Sequence, residues 1–146
     1  MKIILAADHG GFDLKEIIKD YLSEKYEIED LGTYSTSSVD YPDYGIKAGE
    51  AVINGVADKA IVFCGTGIGI SIAANKVPGI RAALCHNVEY AKLSRQHNDA
   101  NILALGGRFL SPQEAINIVE AWLNTDFEGD RHQKRLNKIN VYERKH

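Results

Sequence analysis

Short apolar runs alternate with amphipathic helical stretches five times along this chain, a pattern that few architectures accept. Residues 3–7, 26–31, 59–63, 81–84 and 102–105 read as strands. Residues 12–22, 42–52, 70–75, 88–96 and 112–123 read as helices between and after them. In the first helix Leu14, Ile17, Ile18, Tyr21 and Leu22 share one face. Gly55 ends the second, and Ser111-Pro112-Gln113-Glu114 has capping-box spacing with proline at the first helical position of the last. Residues 32–41, rich in Ser and Thr, read as a loop. Repeated alternation of this kind predicts a mostly parallel five-stranded sheet with helices on both faces.

A chain of 146 residues fits one domain, here residues 1–146, and can bury a core without staples. With 45% hydrophobic and 25% charged residues, disorder is not expected. A net charge of −3 argues against general attraction to nucleic acid or an acidic membrane surface, so any anion site must be a local cluster. Two cysteines, Cys64 and Cys85, make no disulfide framework and no zinc spacing. Met1 to Leu5 is too short for a signal segment, and no window approaches the ~18 apolar residues of a membrane span. A reducing, cytoplasmic compartment is the expectation. The tail, residues 130–144, reads as a charged helix. Leu136, Ile139 and Val141 are too few for a core helix, so it is expected to pack on a partner subunit.

In parallel sheets, ligands sit beyond the carboxyl ends of the strands. Four loops fall there: Asp8-His9-Gly10-Gly11, the stretch after Phe63, Cys85-His86-Asn87, and Gly106-Gly107-Arg108. In the second, Cys64 is followed by Gly65-Thr66-Gly67-Ile68-Gly69 and then a helix. Glycines let backbone approach a ligand, and successive amides at a helix start attract negative charge. The same field favours a thiolate. A packed core cysteine is the plain alternative. The loop lacks G-x-G-x-x-G spacing, no acid ends the next strand, and no Gly-Lys-Ser/Thr is present, so dinucleotide and triphosphate sites are poorly supported.

The remaining polar clusters each have two readings. Asp8 and His9 either contact a ligand or cap the first helix. His97, in Ser94-Arg95-Gln96-His97-Asn98-Asp99, is a general acid–base candidate or part of a solvated loop. Arg131 and Arg135, four apart on one helical face, suit phosphate oxygens or belong to a solvated helix. No histidine pattern marks a metal site, and chemistry without a metal is the simpler expectation. Cys85 and His86 read as packing and loop residues.

Taken in order, Asp8-His9-Gly10-Gly11, Asp40-Tyr41-Pro42, the run Cys64-Gly65-Thr66-Gly67-Ile68-Gly69-Ile70-Ser71-Ile72-Ala73-Ala74-Asn75-Lys76, the His97 block and Gly129-Asp130-Arg131-His132-Gln133-Lys134-Arg135 resemble the type B ribose-5-phosphate isomerase family, which includes galactose-6-phosphate isomerase subunits. The resemblance covers essentially the whole chain. It implies a three-layer Rossmann-like α/β fold, no cofactor, and a small phosphorylated sugar as substrate. It also implies a homodimer with shared active sites, with further pairing into tetramers left open. By resemblance, Cys64 is the proton acceptor and His97 the ring-opening acid, with Thr66 assisting. Asp8 and His9 bind substrate. Gly65, Gly67, Ile68 and Gly69 lie in the loop whose amides hold enediolate oxygens. Asn98, Arg108, Arg131 and Arg135 contact sugar and phosphate. Some members use a glutamate in this loop region in place of the cysteine; here Gly69 and Ile70 supply no acid. Three other readings stay open: an isomerase of allose or galactose 6-phosphate, a non-catalytic nucleotide or flavin module, and a cysteine hydrolase with a Cys64–His97 dyad oriented by Asn98 or Asp99.

Overall fold

The computed structural model describes residues 1–146. In chain order its elements are β1 (Lys2–Ala7), α1 (Phe12–Leu22), β2 (Glu27–Asp30), α2 (Tyr41–Ile53), β3 (Lys59–Cys64), α3 (Ile68–Ala74), β4 (Ala82–Leu84), α4 (Val88–Asn98), β5 (Ile102–Gly106), α5 (Pro112–Leu123) and α6 (Arg131–Lys145). The strands form one parallel sheet in the order β2-β1-β3-β5-β4. The α/β architecture expected from the alternation is the one observed. No helix is long and apolar enough to cross a membrane.

The three central strands are apolar on both faces because helices cover both. Ile3, Leu5 and Ala7 of β1, Ile61 and Phe63 of β3, and Leu103 and Leu105 of β5 face one cluster, with α1, α4 and α5. The alternate residues, Ile4, Ala6, Ala60, Val62, Cys64, Ile102 and Ala104, face α2 and α3. The first face holds the bulkiest buried side chain, Trp122. The second is rich in alanine, and Gly45 of α2 lies so close to α3 that a Cβ would meet the Ile70 carbonyl oxygen at 2.9 Å.

Most boundaries shift by one or two residues from the sequence reading, and two of the shifts have a clear cause. The third helix begins at Ile68, not residue 70, because Gly67 takes the left-handed conformation (φ 79°) that turns the chain early. The second strand is shorter than its apolar run, since Lys2 to Leu5 pair with Glu27 to Asp30 only. The capping box forms as expected: the Glu114 amide donates to Ser111 Oγ and the Ser111 amide to Glu114 Oε1. The tail is helical. It buries His132 and Leu136 against its own chain, and the Gly79 amide donates to Glu143. Ile139, Val141 and Tyr142 stay exposed.

One buried ion pair was invisible in the sequence. Lys15, fully buried, reaches Asp30 at 2.6 Å, and the Gly32 amide donates to the same carboxylate. Burial pushes the Asp30 carboxyl up, but hydrogen bonds from Lys15, Gly32 and Lys19 outweigh it and hold the group below its ordinary value. The pair pins the start of residues 32–40, which lie beside the carboxyl end of β1: Thr33 donates to the Ala7 carbonyl.

Candidate active site

The sheet order reverses between β1 and β3, since β1 leads outward to β2 while β3 adjoins β5. Such a switch point opens a crevice at the carboxyl edge. Three of the four loops singled out in the sequence meet there. The Asp8 amide donates to the Phe63 carbonyl, Gly107 to that of Cys64 and Arg108 to that of Gly65. Glycines make the approach possible. A Cβ on Gly11 would collide with Phe63 backbone, one on Gly65 would meet Arg108 Nη1 at 2.8 Å, and one on Gly107 the Gly10 carbonyl oxygen at 2.9 Å. The exposed Arg108 guanidinium is thereby laid over Gly65.

Cys64 ends β3 at this carboxyl edge, 5% exposed. The Gly67 amide donates to its Sγ at 3.1 Å. The exposed Thr66 accepts the Ile68 amide on Oγ1. Two of the loop amides expected to face ligand oxygens, those of Gly67 and Ile68, are therefore used inside the loop. The next first-turn amides, of Gly69 and Ile70, begin a helix and have no intrahelical acceptor by its geometry. Asp8 Oδ1 accepts from the amides of Gly10 and Gly11, so one carboxylate oxygen organises the turn. His9 Nδ1 lies 3.1 Å from the Val39 amide nitrogen and 3.2 Å from the Val39 carbonyl oxygen, contacts that tie residues 33–40 to this edge. The Tyr41 ring covers Gly69, where a Cβ would lie 2.8 Å from it, and so borders the loop that follows Cys64. The Asp40-Tyr41-Pro42 run was its only signal in the sequence.

His97 and the arginines lie elsewhere. α4 runs back from the carboxyl end of β4 to the start of β5, so its last turn, carrying His97 and Asn98, reaches the amino edge of the sheet. There the Asn98 carbonyl accepts from Arg81, just before β4, and the Asn101 carbonyl from Ala60 at the start of β3. The full length of β3, roughly 16 Å at strand rise, separates this edge from Cys64. Arg95 fixes the turn: nearly buried, it donates to Asp99 Oδ1, the Ala100 carbonyl and the Thr125 carbonyl. Arg131 and Arg135 extend from the first turns of α6 beside it, both exposed. The His97 ring stacks on that of His132, centroids 4.3 Å apart, and His132 Nε2 lies 3.3 Å from Glu128. Ligand-type atoms of these three residues fall within 4.8 Å of one another, a proximity that sequence spacing hid.

The two groups of candidate residues thus lie at opposite edges of the sheet, and no Cys64–His97 dyad forms within one chain. A groove of about 320 Å³ along β4 and α4 includes Asn98 and Cys85 but not Cys64. Burial pushes the Cys85 thiol up to about 11, which keeps it protonated and fits its reading as a packing residue.

The family model for ribose/galactose isomerases matches residues 3–139. The chain belongs to the ribose/galactose isomerase family. Ribose-5-phosphate isomerase B of Escherichia coli is 48% identical over 145 residues, covering 99% of this chain and 97% of that one. The structure of Clostridium thermocellum ribose-5-phosphate isomerase B superposes with a TM-score of 0.98 at 55% identity, over 99% of both chains. Mycoplasma genitalium ribose-5-phosphate isomerase B, with ribulose 5-phosphate bound, superposes with a TM-score of 0.94 at 42% identity, over 99% of this chain and 97% of that one. Against this family background, the carboxyl edge gathers Asp8, His9, Cys64 to Gly69 and Arg108. The amino edge gathers His97, Asn98, Arg131 and Arg135.

Proposed function

We propose that this protein interconverts ribose 5-phosphate and ribulose 5-phosphate through a cis-enediolate, in sites that two copies of the chain build together. The observation that carries the reading is Cys64 at the switch point, beneath a glycine loop with an amide on its sulfur. Cys64 takes the proton from C2 of the open-chain aldose and returns it to C1, as one base suffices for a 1,2-shift. First-turn amides of α3 and the free side of Asp8 hold the oxygens on which charge develops; one well-placed donor contributes about 3 kcal/mol. His97 of a second copy opens the furanose ring. Arg131 and Arg135 of that copy, with Arg108 of the first, hold the phosphate and so place C1 and C2 at the sulfur.

The experiment is isomerisation of ribose 5-phosphate by the purified protein with EDTA present, and allose and galactose 6-phosphates alongside. Turnover of the pentose is the expected result, undiminished by the chelator. Turnover of a hexose phosphate alone would keep the chemistry and move the substrate. Inactivity on all three would overturn the reading.

A further inference from the structure

We propose that His132 is a positioning residue for His97, holding the ring-opening imidazole in one plane with Glu128 behind it. The inference rests on the reading of His97 as the ring-opening group. His97 stands in the last turn of α4, partly exposed, where a side chain has rotamers to choose among. His132, one residue into α6, is 5% exposed and cannot swing. The two rings lie 15° from parallel with centroids 4.3 Å apart. That is stacking geometry, which confines His97 to rotation within its own plane on that side. Glu128 Oε1 stands 3.3 Å from His132 Nε2, close enough to pair yet not aligned as a hydrogen bond, and that nitrogen is otherwise unpartnered. Glu128 is itself fixed to α4, its amide donating to the Gln96 carbonyl. The order Glu128, His132, His97 therefore begins and ends on the same turn of α4.

A shared metal ion is the rival use of these groups. It fits poorly: near-parallel rings send their nitrogen lone pairs side by side, whereas a tetrahedral ion needs them to converge. Face-to-face contact is what the arrangement serves.

Ribulose 5-phosphate separates positioning from mere packing. Its phosphate blocks the only hydroxyl that would close a furanose on C2, so it is acyclic. Exchange of its C1 proton with deuterated solvent needs Cys64 but no ring opening. His132→Ala is expected to lower kcat on ribose 5-phosphate by about 10- to 100-fold, with KM within about 2-fold and C1 exchange retained. His132→Phe, which keeps a planar ring, should recover most of the forward rate. Glu128→Gln, at an exposed residue, should lower the same kcat by about 2- to 5-fold, the scale of an exposed ion pair, and spare exchange. It reports even if His132→Ala fails to fold. Equal loss of exchange and forward turnover, or a raised KM at unchanged kcat, would make His132 a packing residue and overturn the proposal. So would wild-type turnover by His132→Ala and Glu128→Gln while His97→Asn is impaired. Wild-type turnover by His97→Asn would instead sink the ring-opening reading itself, and the positioning role with it.

Discussion

The two edges of the sheet present their candidate residues on different kinds of support. At the carboxyl edge the groups proposed to act are backbone and one thiol: glycine loops pressed together, amides at the start of α3, and Cys64, the last residue of the central strand. At the amino edge they are long side chains, His97, Asn98, Arg131 and Arg135, on the ends of two helices. Backbone held by sheet hydrogen bonds is rigid and tolerates almost no added atom. Side chains on helix ends tolerate change but depend on neighbours such as Arg95 and His132 for orientation. Catalysis that needs a fixed base and a fixed set of oxygen donors belongs on the first kind of support. Capture of a charged phosphate suits the second.

The sharpest break between the edges is Cys64→Ala, which is expected to reduce isomerisation by at least ~10³-fold while calorimetry still detects ribose 5-phosphate binding. Retained turnover would remove the carboxyl edge from the chemistry. A mixing experiment comes next in size. Cys64→Ala and His97→Asn are each expected to be nearly inactive alone, yet equal amounts unfolded and refolded together should regain about a quarter of wild-type activity. In the proposed shared-site dimer, half the dimers would then be mixed, each with one intact site. Failure to complement, with both variants folded and dimeric, would mean that the two edges do not serve one site.

Smaller effects concern stability. Asp30→Ala leaves the buried Lys15 ammonium without its main partner and should destabilise the fold by about 3–5 kcal/mol in urea unfolding. Because the Asp30 carboxyl sits below its ordinary value of 3.8 in the folded chain, its stabilisation is complete well above that pH. It fades as pH falls through the folded value, so the wild-type advantage over Asp30→Asn should vanish in strong acid. Gly67→Ala should lose about 1–3 kcal/mol, since φ is positive and a Cβ would lie 2.8 Å from the Leu105 carbonyl carbon. Activity should fall with it, as this turn aims the amide at Cys64. Least of all, Cys85→Ala should leave turnover within about 2-fold and cost about 1 kcal/mol of packing. A large loss of activity there would contradict its place outside both groups of candidate residues.

Much of the carboxyl edge was legible before any coordinates. Strand-end loops of Asp8 to Gly11, Cys64 to Gly69 and Gly106 to Arg108 follow from period and glycine placement, because local conformational needs select those residues. The capping box at Ser111 was readable for the same reason. His132 and Glu128 were not, since Arg131-His132-Gln133 looks like any charged helix, and only the docking of α6 on α4 turns one of its residues inward. Nor was the Lys15–Asp30 pair, whose members are fifteen residues apart on a helix and an edge strand.

By itself, then, the amino-acid order determined the alternation of strands and helices, the loops that must bend, and the residues able to move a proton or hold a phosphate. Those properties are encoded over a few neighbouring positions, where sterics and side-chain chemistry act directly. Tertiary structure alone decided that Cys64 and His97 face opposite edges of one sheet. A helix that follows a parallel strand must return to the starting edge, and nothing local to either residue records that distance.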